Sequence, residues 1–290
     1  MEQFLLGHFP SGVQNKLYIR SIIKIMNNYE YYMGDEFYYR RISDFDIEIR
    51  HFGFDLEGNI DEQIRFVKEH DINGLSLSPK GEKINIQYKL ACNIIKKLSD
   101  KLLLLVFLFD EFETLDILQF TPNLISLSLH CKLKTSFDFS RSPKLESLRL
   151  WYGTAFSSIF DCASIKELEI YKMDAKGAQN IQNLYKLKYL QIRQTSIKNI
   201  DALSKLSELT RLDLRYLPKL ESISPLLDCK KIRELHFQNC KKVADWHVLG
   251  ELPNLKTLTF ANCGEIHGVG GLDLGKLEKF YQTGDTKLSG

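Results

Sequence analysis

The sequence predicts an α/β fold: a solenoid coiled around one parallel concave β-sheet, closed at its amino end by a smaller α/β cap. Three observations lead there. A short apolar pattern returns eight times at a nearly constant step, a dozen or so residues separate successive copies, and the pattern fades in the first third of the 290-residue chain.

The pattern has the form L-x-x-L-x-L. It reads LISLSL from Leu124, LESLRL from Leu145, IKELEI from Ile165, LKYLQI from Leu187, LTRLDL from Leu209, IRELHF from Ile232 and LKTLTF from Leu255, with a degenerate LEKFYQ from Leu277. The starts advance by 21, 20, 22, 22, 23, 23 and 22 residues. Side chains alternate along a strand, so positions four and six enter the core while positions three, five and seven face solvent. Leu127, Leu148, Leu168, Leu190, Leu212, Leu235 and Leu258, all at position four, are expected to form one internal column. One copy cannot stand alone, because its apolar side is buried only by its neighbours. Between copies, Ile200, Leu203 and Leu206 recur at helical spacing and are expected to seal the back of the solenoid.

These copies and their step resemble the leucine-rich repeat family, and LKYLQIRQTSIKNIDALSKLSELTRLDL is similar to its short-repeat, internalin-like bacterial class. The resemblance covers residues 124–281, with a further copy expected from Leu103. It implies a parallel sheet on the concave side and a protein-binding role. It names no partner, since such repeats occur in toxin-neutralising immunity proteins, surface adhesins and regulatory scaffolds. Position nine, commonly Asn or Cys in such repeats, holds Thr195, Cys240 and Cys263, while Cys162 and Cys229 share a site three residues before the next copy. Registration at the repeat step points to structural ladders, whereas zinc would want close pairs such as C-x-x-C. No metal or cofactor is assigned.

Ahead of the repeats, residues 45–50 and 73–78 have strand character, and Ile60–Glu69 reads as an amphipathic helix between them. Residues 84–86 suggest another strand and 90–98 a second helix. Terminal repeats need a different outer surface, so residues 1–102 are taken as an N-terminal α/β cap on a solenoid spanning 103–290. The run 103–109 lies 21 residues before LISLSL; in that frame Leu105, Phe107 and Phe109 face outward and need cover from the cap. The aromatic run YEYYMGDEFYYR, residues 29–40, reads either as cap packing or as a second interaction patch.

The solvent-facing columns carry the functional expectation. Position seven holds Trp151, Tyr171, Arg193 and Arg215; position five holds Arg149, Glu169, Asp213 and His236; position three holds Glu167, Tyr189 and Arg211; Tyr152 follows Trp151. Exposed aromatics are costly in water, and Trp, Tyr and Arg are the types enriched at binding hot spots. These twelve residues are therefore the candidate partner-binding surface. The competing reading is that they stabilise the sheet itself, through cross-strand pairs such as Arg149 with Glu169 and Arg193 with Asp213. Eight strands offer a face of about 600–700 Å², near the roughly 800 Å² one partner contributes to an ordinary interface.

Other classes fare worse. His236 neighbours Asp213, but no Ser or Cys stands beside them in the outward columns, and the glycines at 264, 268, 270 and 271 form no phosphate loop. Arg149, Arg193, Arg211 and Arg215 form a basic cluster of the kind that binds single strands, yet Glu167, Glu169, Asp213 and Glu234 interrupt it. The 39 basic residues nearly cancel the 37 acidic ones, giving a formal charge of +2, which disfavours nucleic acid and anionic membranes. The first residues show no basic leader with an apolar core, no run of eighteen apolar residues occurs, and the six cysteines are scattered. The expectation is a cytoplasmic, non-catalytic protein-binding module, an inhibitor or toxin-immunity-like protein acting through its concave face. A scaffold or regulatory adaptor is the alternative, and a nucleic-acid-binding solenoid the alternative of another class.

Overall fold

The computed structural model describes residues 29–33, 38–42, 49–78, 84–109 and 111–289, with side chains for 49–78, 87–109 and 111–289. In chain order the strands are β1 (Tyr29–Met33), β2 (Tyr38–Ile42), β3 (Ile49–Asp55), β4 (Gly74–Ser78), β5 (Leu104–Phe107), β6 (Glu111–Phe112), β7 (Ser126–Leu129), β8 (Lys132–Leu133) and β9 (Ser147–Trp151). They continue as β10 (Glu167–Tyr171), β11 (Tyr189–Arg193), β12 (Arg211–Arg215), β13 (Glu234–Gln238), β14 (Thr257–Ala261), β15 (Glu265–His267), β16 (Lys279–Thr283) and β17 (Lys287–Ser289). The main sheet runs β1-β2-β3-β4-β5-β7-β9-β10-β11-β12-β13-β14-β16; β6 with β8 and β15 with β17 form separate short pairs. The pairings β1–β2 and β2–β3 are antiparallel, and every pairing from β3 to β16 is parallel.

The predicted column is present. Leu127, Leu148, Leu168, Leu190, Leu212, Leu235 and Leu258 pair in register across adjacent strands, none more than 1% exposed. Position six repeats the arrangement with Leu129, Leu150, Ile170, Ile192, Leu214, Phe237 and Phe260, all buried. Ile200, Leu203 and Leu206 are buried around the 3-10 turn Asp201–Lys205. Their spacing of three matches that tighter helix, which crosses the back in fewer residues than an α-helix with the same apolar contacts.

A turn after each central strand closes the path. Lys172, Gln194, Tyr216, Asn239 and Asn262, at position eight of successive copies, have φ between 53° and 58°. Each donates its backbone N–H to the position-seven carbonyl of the next copy, as in Lys172 to Arg193 (2.9 Å) and Tyr216 to Gln238 (2.7 Å). At position nine, Cys240 Sγ donates to the Leu214 carbonyl and Cys263 Sγ to that of Phe237, both at 3.5 Å, while Thr195 Oγ1 donates to Met173. Cys162 and Cys229 reach the carbonyls of Phe139 and Leu203 in the same manner. These four cysteines are thus rungs between repeats, and all six thiols are free.

At the amino end, α1 (Ile60–Glu69) is capped by the Asn59 side chain, which accepts from Glu62 N, and buries Ile64, Phe66 and Val67. Residues 84–86 do not form the strand expected of them; they open α2 (Ile84–Leu98). Three alternating residues are too short a sample to tell a strand from one turn of helix, and the burial of Ala91, Ile94, Ile95 and Leu98 shows which period governs. The strand expected at 45–50 begins at Ile49 and continues to Asp55, with residues 45–48 outside the described ones. The side chains of the aromatic run at 29–40 also lie outside them, although its backbone contributes β1 and part of β2.

The frame of β5 is shifted by one residue from the expected one. Leu105 pairs with Leu127 and Phe107 with Leu129, so Leu105, Phe107 and Phe109 point into the core, and Leu104 and Val106 face the concave side. The copy therefore starts at Leu102, 22 residues before Leu124. An unbroken run of apolar residues offers no alternation to set the frame, and only pairing to the next strand decides it. One apolar core continues from Phe52 to Val269, and β4 pairs directly with β5, so sheet and core both pass through the boundary at 102 and 103.

Candidate functional site

The concave face of β9 to β13 gathers most of the candidate residues into three lateral rows, because parallel strands in register hold equal motif positions about 4.8 Å apart. In the position-seven row Trp151 is opposite Tyr171, Tyr171 opposite Arg193, and Arg193 opposite Arg215. The Trp151 and Tyr171 rings stack with centroids 6.3 Å apart and planes at 29°. The Arg193 guanidinium lies 5.2 Å from the Tyr171 ring centre and donates to its hydroxyl at 3.3 Å. Trp151 remains 41% exposed, the most exposed large apolar side chain on this part of the face. Lys172 Nζ caps it at 4.8 Å from the ring centre.

The position-five row is polar and internally bonded. Arg149 grips Glu169 with both Nε (2.5 Å) and Nη2 (2.7 Å). Asp213, only 3% exposed, accepts from Arg215 Nε at 2.7 Å and Nη2 at 2.6 Å and from Gln191 Nε2 at 2.9 Å. The expected Arg149–Glu169 pair forms. The Arg193–Asp213 pair does not, because the register sets Asp213 beside Gln191 and Arg193 beside Arg215. His236 lies across from Asp213 on β13. Burial lowers its pKa, assisted by Arg211 and Arg215 and opposed by Asp213 and Glu234. In the position-three row, Glu167, Tyr189, Arg211 and Glu234 follow one another, and the Arg211 guanidinium lies 4.0 Å over the Tyr189 ring. Burial, with the charge of Glu169, pushes the Tyr189 phenol up to about 12.

Tyr152 stands apart from these rows. At position eight it leaves the strand, and its ring packs against Phe160 on the returning segment, 6.0 Å between centroids. Two contributors were missed by the sequence reading. Gln191 is 5% exposed and joins Tyr189 to Asp213; its membership of the outward column was visible, but its burial was not. Lys172 follows the strand at position eight, outside the outward columns, and its left-handed backbone returns the side chain over Trp151.

Among the described residues no group of three or more His, Cys, Asp or Glu side chains is arranged to hold a metal ion, and no helix is long and apolar enough to cross a membrane. No family model matches the sequence, and no curated protein matches it. Solved structures do share the fold. An internalin from Listeria monocytogenes superposes with a TM-score of 0.57 at 20% identity, over 81% of this chain and 76% of that one. The Toll–Spatzle complex from Drosophila gives 0.55 at 12% identity, over 96% of this chain and 43% of that one. The likeness is one of fold: a short-repeat leucine-rich repeat solenoid with a parallel concave sheet and an α/β amino end.

Proposed function

Starting from a leucine-rich repeat solenoid, we propose that this protein is a non-catalytic protein-binding module whose concave face covers a protein partner, in the manner of an intracellular inhibitor or immunity protein. The observation that carries the reading is the row Trp151, Tyr171, Arg193. It is a half-exposed aromatic pair, ordered from both sides by cations, and it stands at the centre of a face large enough for an interface. Rigid aromatics already fixed by neighbours lose little conformational freedom when a partner arrives. The adjoining charges alternate in sign, which suits a protein of mixed charge better than a polyanion. The Asp213 oxygens are taken by Arg215 and Gln191, so His236 lacks the carboxylate that would orient it as a general base. The reading includes a cytoplasmic setting, supported by four thiols that serve as hydrogen-bond donors and so must stay reduced.

The experiment is capture of the partner from cells on immobilised protein, followed by calorimetric titration of parent and variants. Trp151→Ala and Arg193→Ala should each weaken binding by at least about 2 kcal/mol, and Thr259→Ala at the rim should cost far less. If both central variants bind unchanged while melting like the parent, the principal site lies elsewhere. An inhibitor also abolishes the partner's activity at equal stoichiometry, which a scaffold or adaptor does not.

A further inference from the structure

A second feature lies on the same strands, at their starting ends. There the chain forms a recess of about 430 Å³ lined by Glu167, Lys188, Tyr189, Arg211, Arg233 and Glu234, among others. Four positions along a strand separate this recess from the aromatic row, about 13 Å. Its floor is the stacked Tyr189 ring and Arg211 guanidinium. Its rim is the position-two column, where the cations are held differently. Lys166 is neutralised by Glu146 at 2.7 Å and Lys256 by Glu278, and within the lining itself Lys231 is held by Glu208 at 2.7 Å. Among the described residues neither Lys188 nor Arg233 is held in an ion pair, and both are exposed. Carboxylates thus hold Lys231 and the flanking cations, while among the described residues Lys188, Arg233 and the Arg211 stacked on Tyr189 carry no ion pair.

Resting on the reading of this face as a protein-binding surface, we propose that the recess seats an extended acidic segment of the protein partner, with its carboxylates on Lys188, Arg211 and Arg233. Length and charge select that occupant. The recess crosses four strands, β10 to β13, which is about 14 Å at the parallel spacing and about four residues of extended peptide. That is too long for one free anion to fill. A nucleic-acid backbone carries a charge at every nucleotide and would meet Glu167 and Glu234 in the lining, whereas a peptide places neutral residues beside them.

The test uses the full chain and three fluorescently labelled probes: a hexapeptide of Glu and Asp flanked by Gly, its Gln and Asn counterpart, and a short oligothymidylate. Binding is read by anisotropy at low and moderate salt. The acidic peptide should bind and weaken with salt, and the amide peptide should bind at least about tenfold more weakly. Lys188→Glu combined with Arg233→Glu should cost the acidic peptide at least about tenfold, while Lys205→Glu, on the turn across the back of the solenoid, leaves it unchanged. Lys188→Gln with Arg233→Gln serves if charge reversal impairs folding, and should give a smaller loss in the same direction. Equal binding of the two peptides, unchanged binding by the double variants, or tighter binding of the oligonucleotide overturns the proposal. The concave-face reading fails separately: it falls if Trp151→Ala and Arg193→Ala leave the captured partner bound, whatever the peptide does.

Discussion

The amino-terminal strands β3 to β7 and the central strands β9 to β13 share one sheet and one core, yet their concave sides have opposite chemistry. In the first group the outward positions include Ile49, Leu104 and Val106 beside Gly74, Ser76, Ser126 and Ser128. Ile49 and Leu104 form a small buried cluster of their own, joined by Val106 and Ile125. His51 is buried there as well, with its Nε2 2.7 Å from Ser76 Oγ. In the second group the same positions carry large aromatic and charged side chains around an exposed Trp151. The internal leucine column is indifferent to this change, because side chains on the two faces of a strand see different surroundings. A solenoid can therefore keep its stacking constant while its concave face passes from an apolar, buried end to an open surface of aromatic and charged side chains.

The largest test of that contrast is to separate the two groups. Deleting residues 1–98 removes β4 and uncovers the edge of β5, together with the contacts α2 makes with the core. The truncated chain should aggregate and lose cooperative unfolding, as followed by light scattering and circular dichroism. A soluble monomer that unfolds in one transition would show that the amino-terminal region is separable.

Next in size are core truncations. Leu190→Ala and Leu212→Ala should each cost about 2–5 kcal/mol in urea unfolding. Leu105→Ala should cost a similar amount, which directly checks the corrected frame of β5, while Val106→Ala on the concave side should cost about 1 kcal/mol or less. Reversal of that order would restore the original frame.

Smaller effects separate the two ends of the central face. Burial lowers the pKa of His130, with Arg149 adding to it and Glu169 opposing, and burial lowers that of His236 too. Above the unfolded value of about 6.5 both states are neutral and the contribution is complete. As pH falls below it, the unfolded chain takes up protons first and stability declines, levelling only once pH has passed through the folded values. Replacing both histidines with Gln should flatten the parent's loss between about pH 7 and pH 5; an unaltered difference between the two urea midpoints removes these groups from the account.

The smallest expected change is a gain. Gln194 is exposed and holds φ 53°, a region costly for most residues and tolerated by Asn. Gln194→Asn should raise stability by a few tenths of a kcal/mol, measurable as a shift in urea midpoint at constant slope. A loss would mean that the Gln194 side chain contributes contacts beyond its turn.

The sequence by itself determined the repeat step, the internal column at position four, the parallel sheet, helix α1 and the ladder role of Cys240 and Cys263, because each follows from a period that the chain repeats many times. It also placed Trp151, Tyr171, Tyr189 and Arg193 on one face. Tertiary structure alone decided what has no period. Pairing with β7 set the frame of the uniformly apolar β5, and helical packing claimed residues 84–86. Asp213 went to Arg215 on its own strand and to Gln191 across the sheet, Tyr152 packed on Phe160, the left-handed turn at Lys172 returned its side chain over Trp151, and the pairing of neighbouring cations left Lys188 and Arg233 open in their recess. The physical reason lies in what alternation leaves open: it states which side a residue faces, but the partner it meets there is fixed only when the strands stack and the connecting segments fold back onto them.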